Sequence, residues 1–309
     1  MNAEIFVLNF NGKELLCECL PSILEASRQN PKCPVTVIDN QSRDGSVAML
    51  QNEFTDVKVL IKENRVLCSF NEAVRESSAD IVLLLNNDLK VEKDFIRPLL
   101  KVFEEHQDAF LASPKALTFD QSRYEGSLSK MSFKTGILRC ESRFKGYEKK
   151  IDHPGITMQS GFGAYRRDVF LGLGGFDDLY LPGTVEDSDL CFRAWKAGYA
   201  CYYVPGSRVY HKGQATFGRS FSRSRLLAIN QRNLYLFTWK NISDPSLILK
   251  HLLWFLIRPL VFLIQGRHEF FLGFLWAFLR LPQALKRRFS LGRRGMRSDR
   301  KIFALSETI

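Results

Sequence analysis

Four groups of polar side chains in this sequence have residue types and spacings that could carry chemistry. Asp39 closes an apolar run and opens Asp39-Asn40-Gln41-Ser42-Arg43-Asp44-Gly45-Ser46. Asp88 closes Asn86-Asn87-Asp88, directly after another apolar run at 81–85. Glu186-Asp187-Ser188-Asp189 places three acids in four residues, and His211 stands in Tyr210-His211-Lys212-Gly213. Carboxylate and amide oxygens suit a hard divalent cation that completes its shell with substrate phosphates, and a carboxylate can serve as general base. Each group also has a plain structural explanation. Asp and Asn are common in turns after strands, acids in a first helical turn complement the helix dipole, and a lone histidine is more often a surface or packing residue. No His-Glu-x-x-His, Gly-x-Ser-x-Gly or Ser-His-Asp set occurs, so a protein nucleophile is not signalled.

The elements that must position these groups follow from periodicity. Apolar runs of strand length lie at 5–8, 35–38, 57–61 and 81–85, separated by segments of helical spacing at 13–27, 46–54, 69–77 and 93–105. This alternation predicts an α/β fold with a mostly parallel sheet covered on both faces. Ligands of such a sheet bind beyond the carboxyl ends of its strands, where Asp39 and Asp88 both fall. The Gly-rich dinucleotide fingerprint is missing: the first strand runs into Asn9-Phe10-Asn11-Gly12, with one glycine, and no P-loop occurs. A bound diphosphate would therefore lack a backbone cradle, and magnesium or manganese is the economical neutraliser. Pro21 is expected to kink or restart the first helix. Periodicity is lost from 118 to 155, which predicts a mobile, substrate-facing loop region. A glycine-rich turn (Gly172, Gly174, Gly175), a helix at 186–196 ended by Gly198 and a strand at 199–204 follow.

The 309 residues are 45% hydrophobic and 25% charged, as in ordinary folded proteins. Seven scattered cysteines with no C-x-x-C pair fit a reducing compartment, and the N-terminus has no signal-peptide pattern. The net charge of +11 concentrates at 280–301, where Arg280, Lys286, Arg287, Arg288, Arg293, Arg294, Arg297, Arg300 and Lys301 face one acid, Asp299. Just before it, 247–264 and 270–281 are strongly apolar but interrupted. Their longest unbroken runs are about half of the ~20 residues of a spanning helix. They read as helices lying on a membrane beside a basic cluster; the alternative is a helical subdomain packed on protein. The tail carries no nucleic-acid-binding motif. The expected division is 1–230 for the chemistry and 231–309 for the apolar, basic helices.

Taken together, the pieces resemble a known family. Asn9-Phe10-Asn11-Gly12, Asp39-Asn40-x-Ser42-x-Asp44-Gly45-Ser46, Leu85-Asn86-Asn87-Asp88, Ser160-Gly161-Phe162-Gly163-Ala164, Gly174-Gly175-Phe176-Asp177, Glu186-Asp187-x-Asp189-Leu190-x-x-Arg193, Gly198 and His211 are similar to family-2 glycosyltransferases of the GT-A fold, closest to the bacterial rhamnosyltransferase-like branch. The resemblance implies a Rossmann-like nucleotide-diphospho-sugar transferase fold over about residues 4–240. It implies a nucleotide side formed by Asn9, Asn11, Asp39, Asn40, Ser42, Asn64, Asn71, Asn86 and Asn87, with Asp39 on the base. Asp88 and His211 would hold Mg2+ or Mn2+, and Asp187 would be the catalytic base, with Glu186 beside it. The implied reaction inverts the anomeric centre, moving a sugar from a UDP-, dTDP- or GDP-linked donor to a glycan or polyprenyl-linked acceptor. The implied location is the cytoplasmic face of the plasma membrane.

One departure stands out. The family pattern after the third strand, Asn-x-Gly-Phe-x-x-x-Asn, is here Asn64-Arg65-Val66-Leu67-Cys68-Ser69-Phe70-Asn71. A β-branched Val66 resists the positive φ that glycine permits, so this loop is expected to take another conformation, unless that position never needs a positive φ. The second reading of the chain is accordingly a catalytically weak, nucleotide-sugar-binding paralogue.

Overall fold

The computed structural model describes residues 1–29, 33–213, 221–290 and 297–309. Arg293 and Arg294 of the basic cluster lie outside the described residues. The chain runs β1 (Ala3–Asn9), α1 (Lys13–Arg28), β2 (Val35–Asp39), α2 (Ser46–Glu53), β3 (Lys58–Ile61), α3 (Phe70–Glu76), β4 (Ile81–Asn86), β5 (Leu89–Val91), α4 (Ile96–Glu105) and β6 (Ala109–Thr118). It continues through β7 (Tyr124–Gly126), β8 (Lys130–Lys134), β9 (Ile137–Glu141), β10 (Gly155–Ile156), β11 (Gly163–Arg166), α5 (Arg167–Gly172), α6 (Glu186–Lys196) and β12 (Ala200–His211). Five further helices are α7 (Arg223–Asn241), α8 (Pro245–Ile264), α9 (His268–Leu279), α10 (Leu281–Ser290) and α11 (Asp299–Glu307).

The main sheet has the order β10-β12-β6-β11-β4-β1-β2-β3. β1 pairs in parallel with β2 and β4, β2 with β3, and β12 with β6, while β11 is antiparallel to both β4 and β6. The long strands therefore all point one way, and their carboxyl ends form one rim. Alternation within the strands explains why they read as continuous apolar runs. Ile5 and Val7 face α1, α2 and α4 in one cluster; Phe6 joins Phe70, Phe170 and Phe192 in the other.

Several sequence expectations are corrected. α1 runs unbroken through Pro21. The proline and Cys17, whose carbonyl loses its partner, are both on the exposed side, so water can satisfy that oxygen. The stretch expected to be a mobile loop holds β7, β8 and β9, and buries Met131, Phe133, Ile137 and Leu138. Its hairpin turns at Thr135 and Gly136, φ 47° and 77°, a two-residue turn matched to the strand twist. β12 extends past 204 to His211. α8 is continuous through Arg258-Pro259. α7 crosses residue 230, and α11 packs back on the rest of the chain, with Lys196 Nζ 2.8 Å from Asp299 and Ser306 Oγ accepting from Met131 N at 2.7 Å.

A buried ionic knot ties these C-terminal helices to α6. Asp189 is fully buried and accepts from Arg193 Nε at 2.7 Å, Lys240 Nζ at 2.8 Å, Asn241 Nδ2 at 2.7 Å and the Tyr180 hydroxyl at 2.7 Å. Lys240 also reaches Asp177 at 2.7 Å, and Arg193 Nη2 donates to Gly175 O at 2.7 Å. Burial pushes the Asp189 carboxyl up, but Arg193 and Lys240 outweigh it and hold it far below the usual carboxylate range. Removing one partner of a buried ion pair costs about 3–5 kcal/mol. Asp189→Asn is therefore expected to lower unfolding free energy by roughly that amount in urea titrations; a change within error would show that the knot is dispensable.

Candidate active site

The register of the central strands sets the rim. Asn9 lies opposite Asp39, and Leu8 opposite Asn86. Asn9 Nδ2 donates to Asp39 Oδ2 at 2.7 Å, and Asn9 Oδ1 accepts from Asn87 Nδ2 at 2.6 Å, so one amide bridges β1, β2 and the turn after β4. Gly12 leaves the space this bridge needs, since a Cβ there would overlap the Asn87 amide. Ser42 N donates to Asp39 Oδ1 at 2.7 Å, and Ser42 Oγ accepts from Asn11 N at 2.8 Å. Asn11 Oδ1 accepts from Arg43 N at 2.8 Å, and Asn40 Nδ2 reaches Asn64 Oδ1 at 3.3 Å. These residues lie together at the rim. Asp39 is fully buried, with one interior bond on each carboxylate oxygen. The Asn40 Oδ1 atom is buried without a hydrogen-bond partner.

Asn71 stands apart. Its amide donates to Phe176 O at 2.8 Å and accepts from Phe176 N at 2.9 Å, which holds α3 against the Gly174–Asp177 turn. The loop before it keeps the left-handed conformation: Val66 has φ 51°. The expectation that valine would force another conformation is thus corrected. Asn64 Oδ1 accepts from Val66 N at 3.2 Å, and the Arg65 guanidinium pairs with Asp178 at 2.6 Å, so the surroundings impose the backbone against the side chain's preference.

Asp88 and His211 meet across β5 and β12, where His211 lies opposite Leu89. His211 Nε2 is 3.4 Å from Asp88 Oδ2, and its Nδ1 is 3.1 Å from Glu125 Oε2. Asp88 Oδ1 is buried with no hydrogen-bond partner. Burial works against a charged imidazole here, but hydrogen bonds and charge from Asp88 and Glu125 prevail and raise His211 to about 9. Glu125 was not legible from the sequence. It sits on β7, in the region without periodicity, and only the pairing of β7 with β6 brings it to the rim.

The acidic start of α6 completes the site. Asp187 Oδ1 accepts from Ser188 N at 2.7 Å, and a Cβ added at Gly161 would sit 3.7 Å from Asp187 Oδ2. The next residue, Phe162, has its ring 6.0 Å from that of His211. Asp187, the Gly161-Phe162 turn, His211 and Asp88 therefore form one continuous lining. Burial raises Asp187 above its ordinary value. Glu186, beneath it, is pushed to about 8, first by burial and then by Asp187, and its Oε2 has no partner. The helix enters through Thr184 and Val185 at φ 70° and 73°, two β-branched residues in the left-handed region. Asn233 of α7 holds them, with Nδ2 2.6 Å from Gly183 O and 2.8 Å from Thr184 O.

Two stability measurements follow from this geometry. Left-handed strain on a non-glycine residue is worth about 1–3 kcal/mol, against which glycine adds unfolded-state entropy. Val66→Gly is expected to gain about 1 kcal/mol of unfolding free energy, read as a higher urea midpoint; a loss would mean that the valine packs better than it strains. Glu186 has its pKa raised from an ordinary 4.5 to about 8. Between these values the folded chain keeps a proton that the unfolded chain releases, so stability falls as pH rises. Glu186→Gln removes that loss. Its melting temperature should overtake that of the parent progressively from pH 5 to about 8, and a pH-independent difference would refute the assignment.

Comparison with known proteins agrees with this architecture. The chain is 24% identical to O-antigen chain rhamnosyltransferase RfbN of Salmonella typhimurium, over 72% of this chain and 70% of RfbN. Three further curated relatives are longer, and the chain spans only 24% to 44% of their lengths. Among solved structures, Staphylococcus aureus TarS 1-349 in complex with UDP-GlcNAc superposes with a TM-score of 0.57 at 14% identity, covering 92% of this chain and 82% of TarS 1-349. The mannosyltransferase PcManGT from Pyrobaculum calidifontis, in complex with GDP-Man and Mn2+, gives 0.54 at 13% identity, over 91% and 87%. At these identities the superpositions establish the GT-A fold. The model of glycosyl transferase family 2 matches residues 4–173, more than half of the sequence, and the chain belongs to that family.

Proposed function

We propose that this chain is an inverting glycosyltransferase that moves a sugar from a nucleoside-diphosphate donor to a hydroxyl of a lipid-linked or cell-surface glycan. The observation that carries this reading is the continuous lining from Asp88 and His211 through Phe162 and Gly161 to Asp187. TarS, solved with UDP-GlcNAc, and PcManGT, solved with GDP-Man, supply the analogy for donor chemistry. UDP-, dTDP- and GDP-sugars are all candidates.

Asp88 and His211 fit magnesium or manganese. Asp88 Oδ1 is buried and unpartnered, and His211 Nε2 faces the same carboxylate while Glu125 takes the other ring nitrogen. Among the described residues no three His, Cys, Asp or Glu side chains form a group that could hold a metal ion, so donor phosphates would have to complete the ion's shell. When bound, the ion would offset charge building on the departing nucleoside diphosphate. Asp187 takes the proton of the acceptor hydroxyl as its oxygen attacks the anomeric carbon and the bond to the diphosphate breaks. Ser188 N fixes one Asp187 oxygen, leaving the other toward Gly161. Glu186, holding its proton, keeps the pair from carrying two charges. Asn9, Asn11, Asp39, Asn40, Ser42, Asn64, Asn86 and Asn87 form the nucleotide side, with Asp39 toward the base and Asn71 bracing α3 behind it. Val66 keeps the left-handed backbone, which weakens the reading of a binding paralogue without turnover.

The C-terminal helices complete the proposal. α8 is long and apolar enough to cross a membrane by length and composition. Its polar residues, however, turn inward: His251 Nδ1 meets Gly136 O at 2.6 Å, and Arg258 donates to Thr135 Oγ1 at 2.6 Å. Leu249, Leu252, Leu253, Leu256 and Leu260 form an outward stripe, each more than half exposed. Leu275 and Phe278 of α9 add to the exposed apolar surface. Arg287 pairs with Asp177 and Asp178, and Arg288 donates to Trp239 O and Ile242 O, so the support for docking is the exposed apolar face; on it the chain is proposed to sit peripherally on the cytoplasmic face of the plasma membrane.

Asp187→Asn is expected to lower kcat by about 10²–10⁴, with donor binding kept; full activity would reject Asp187 as base. A donor screen by thermal shift, with and without manganese, should single out one nucleotide sugar. Its stabilisation should grow with the logarithm of donor concentration and vanish in Asp88→Ala; a metal-independent shift would remove Asp88 from the metal site. The full chain should float with anionic vesicles, and Leu253→Glu/Leu256→Glu/Leu260→Glu should not; equal flotation would refute docking through α8.

A further inference from the structure

A cavity of about 880 Å³ lies apart from the catalytic rim. Its walls are the 171–178 segment, the end of α6, the end of α7, α10 and residues 297–298. Asp187 stands at the start of α6, whereas Arg193, Lys196 and Ala197 line the cavity from the other end. Lys196 is roughly 13 Å further along the helix axis than Asp187. None of Asp39, Asp88, Asp187 and His211 touches the cavity.

The lining is strongly basic. Arg193, Lys196 and Lys240 form a buried wall, and Arg65, Arg287, Arg288 and Arg297 stand around it. Asp177 and Asp178 are the acids of the lining, and Asp189 and Asp299 lie behind it on Arg193, Lys240 and Lys196. Seven cations thus meet four carboxylates. The residues outside the described set contain no Asp or Glu that could redress the balance. Carbonyl oxygens hold two of the arginines in place without cancelling their charge. Arg288 Nη1 donates to Ile242 O at 2.6 Å and to Trp239 O at 2.9 Å. Arg297 donates to Gly198 O at 2.7 Å and Tyr199 O at 3.1 Å, and its guanidinium lies over the Trp195 ring, 5.6 Å from the centroid. Asp178 bridges Arg65 and Arg287, at 2.6 Å each.

Guanidinium forks bind phosphate oxygens in bidentate fashion, and several forks around one cavity suit an anion with more than one phosphate. The volume is that of a small-molecule site. We propose that this cavity is a second ligand site, for a small molecule bearing a diphosphate, whose occupant ties α10 and Arg297 to the turn before α6. Arg287, Arg288 and Arg297 belong to the basic cluster of the tail; here they line a cavity walled by α6 and α7 and so serve a soluble ligand. The proposal does not depend on the roles of Asp88, His211 and Asp187.

Inorganic pyrophosphate is titrated into the full chain by calorimetry in EDTA, which removes the metal site from the readout. It should bind at one saturable site, and more tightly than orthophosphate. Arg297→Gln should weaken it at least about tenfold, as expected for losing charge-assisted hydrogen bonds. Arg297 also holds two carbonyls, so a second variant spares those bonds. Gly172→Glu sets a carboxylate in the lining where a Cβ meets nothing within 4 Å, and should weaken pyrophosphate comparably. Asp88→Ala should bind it as the parent does, and hydrogen exchange in α10 should slow when it is bound. Absence of saturable binding, or an affinity unchanged in both cavity variants, would overturn the proposal. A fall in Asp88→Ala alone would return the anion to the rim, and unchanged exchange in α10 would remove the tie. Displacement of pyrophosphate by phosphatidylglycerol vesicles would give the cavity to a lipid headgroup and overturn the small-molecule assignment.

Discussion

Asp189 has no exposed surface, and an isolated carboxylate there would abandon its charge. Arg193, Lys240, Asn241 and Tyr180 make the charged form tolerable, and in doing so they join three segments at one atom group. Tyr180 and Asp177 come from the turn before α6, Arg193 from α6 itself, and Lys240 and Asn241 from α7. The acidic start of α6 is thereby fixed between the sheet and the C-terminal helices. Without that anchorage the short helix bearing Asp187, entered through two strained residues, would rely on the Asn233 bonds to Gly183 and Thr184.

Strain gathers around the same rim. Asn11, Gln41, Val66, Thr184 and Val185 all have positive φ without being glycine. Three of the five are held by side-chain hydrogen bonds: Asn11 by Ser42, Val66 by the nearby Asn64 and Thr184 by Asn233. A backbone kept in unfavourable regions by several independent bonds is characteristic of pre-organised sites.

Much of this was legible in the sequence because it rests on local pattern. Continuous apolar runs marked the parallel strands, and the acids at their ends marked the rim; Asn9, Asp39 and Asn87 indeed touch. His211 could be placed beside Asp88 only through the resemblance to a family, since the antiparallel return of β12 past β5 leaves no local trace. Glu125 and Asn233 escaped notice for the same reason: their partners are distant in sequence and their own segments carry no distinguishing period. The 118–155 region misled because a short hairpin alternates over only a few residues, too few to separate from loop. Pro21 misled because the cost of a proline depends on which side of the helix faces water, and that is a tertiary fact.

Asn71 pairs its side-chain amide with both the N–H and the C=O of Phe176, much as one residue of a strand pairs with its neighbour. Gly175 makes the approach possible, for a Cβ at that position would collide with the Asn71 oxygen. The start of α3 and the turn that leads into α6 are therefore stitched into a single mechanical piece. The two segments share one rigid contact, so the position of α3 and that of the turn before α6 are set together.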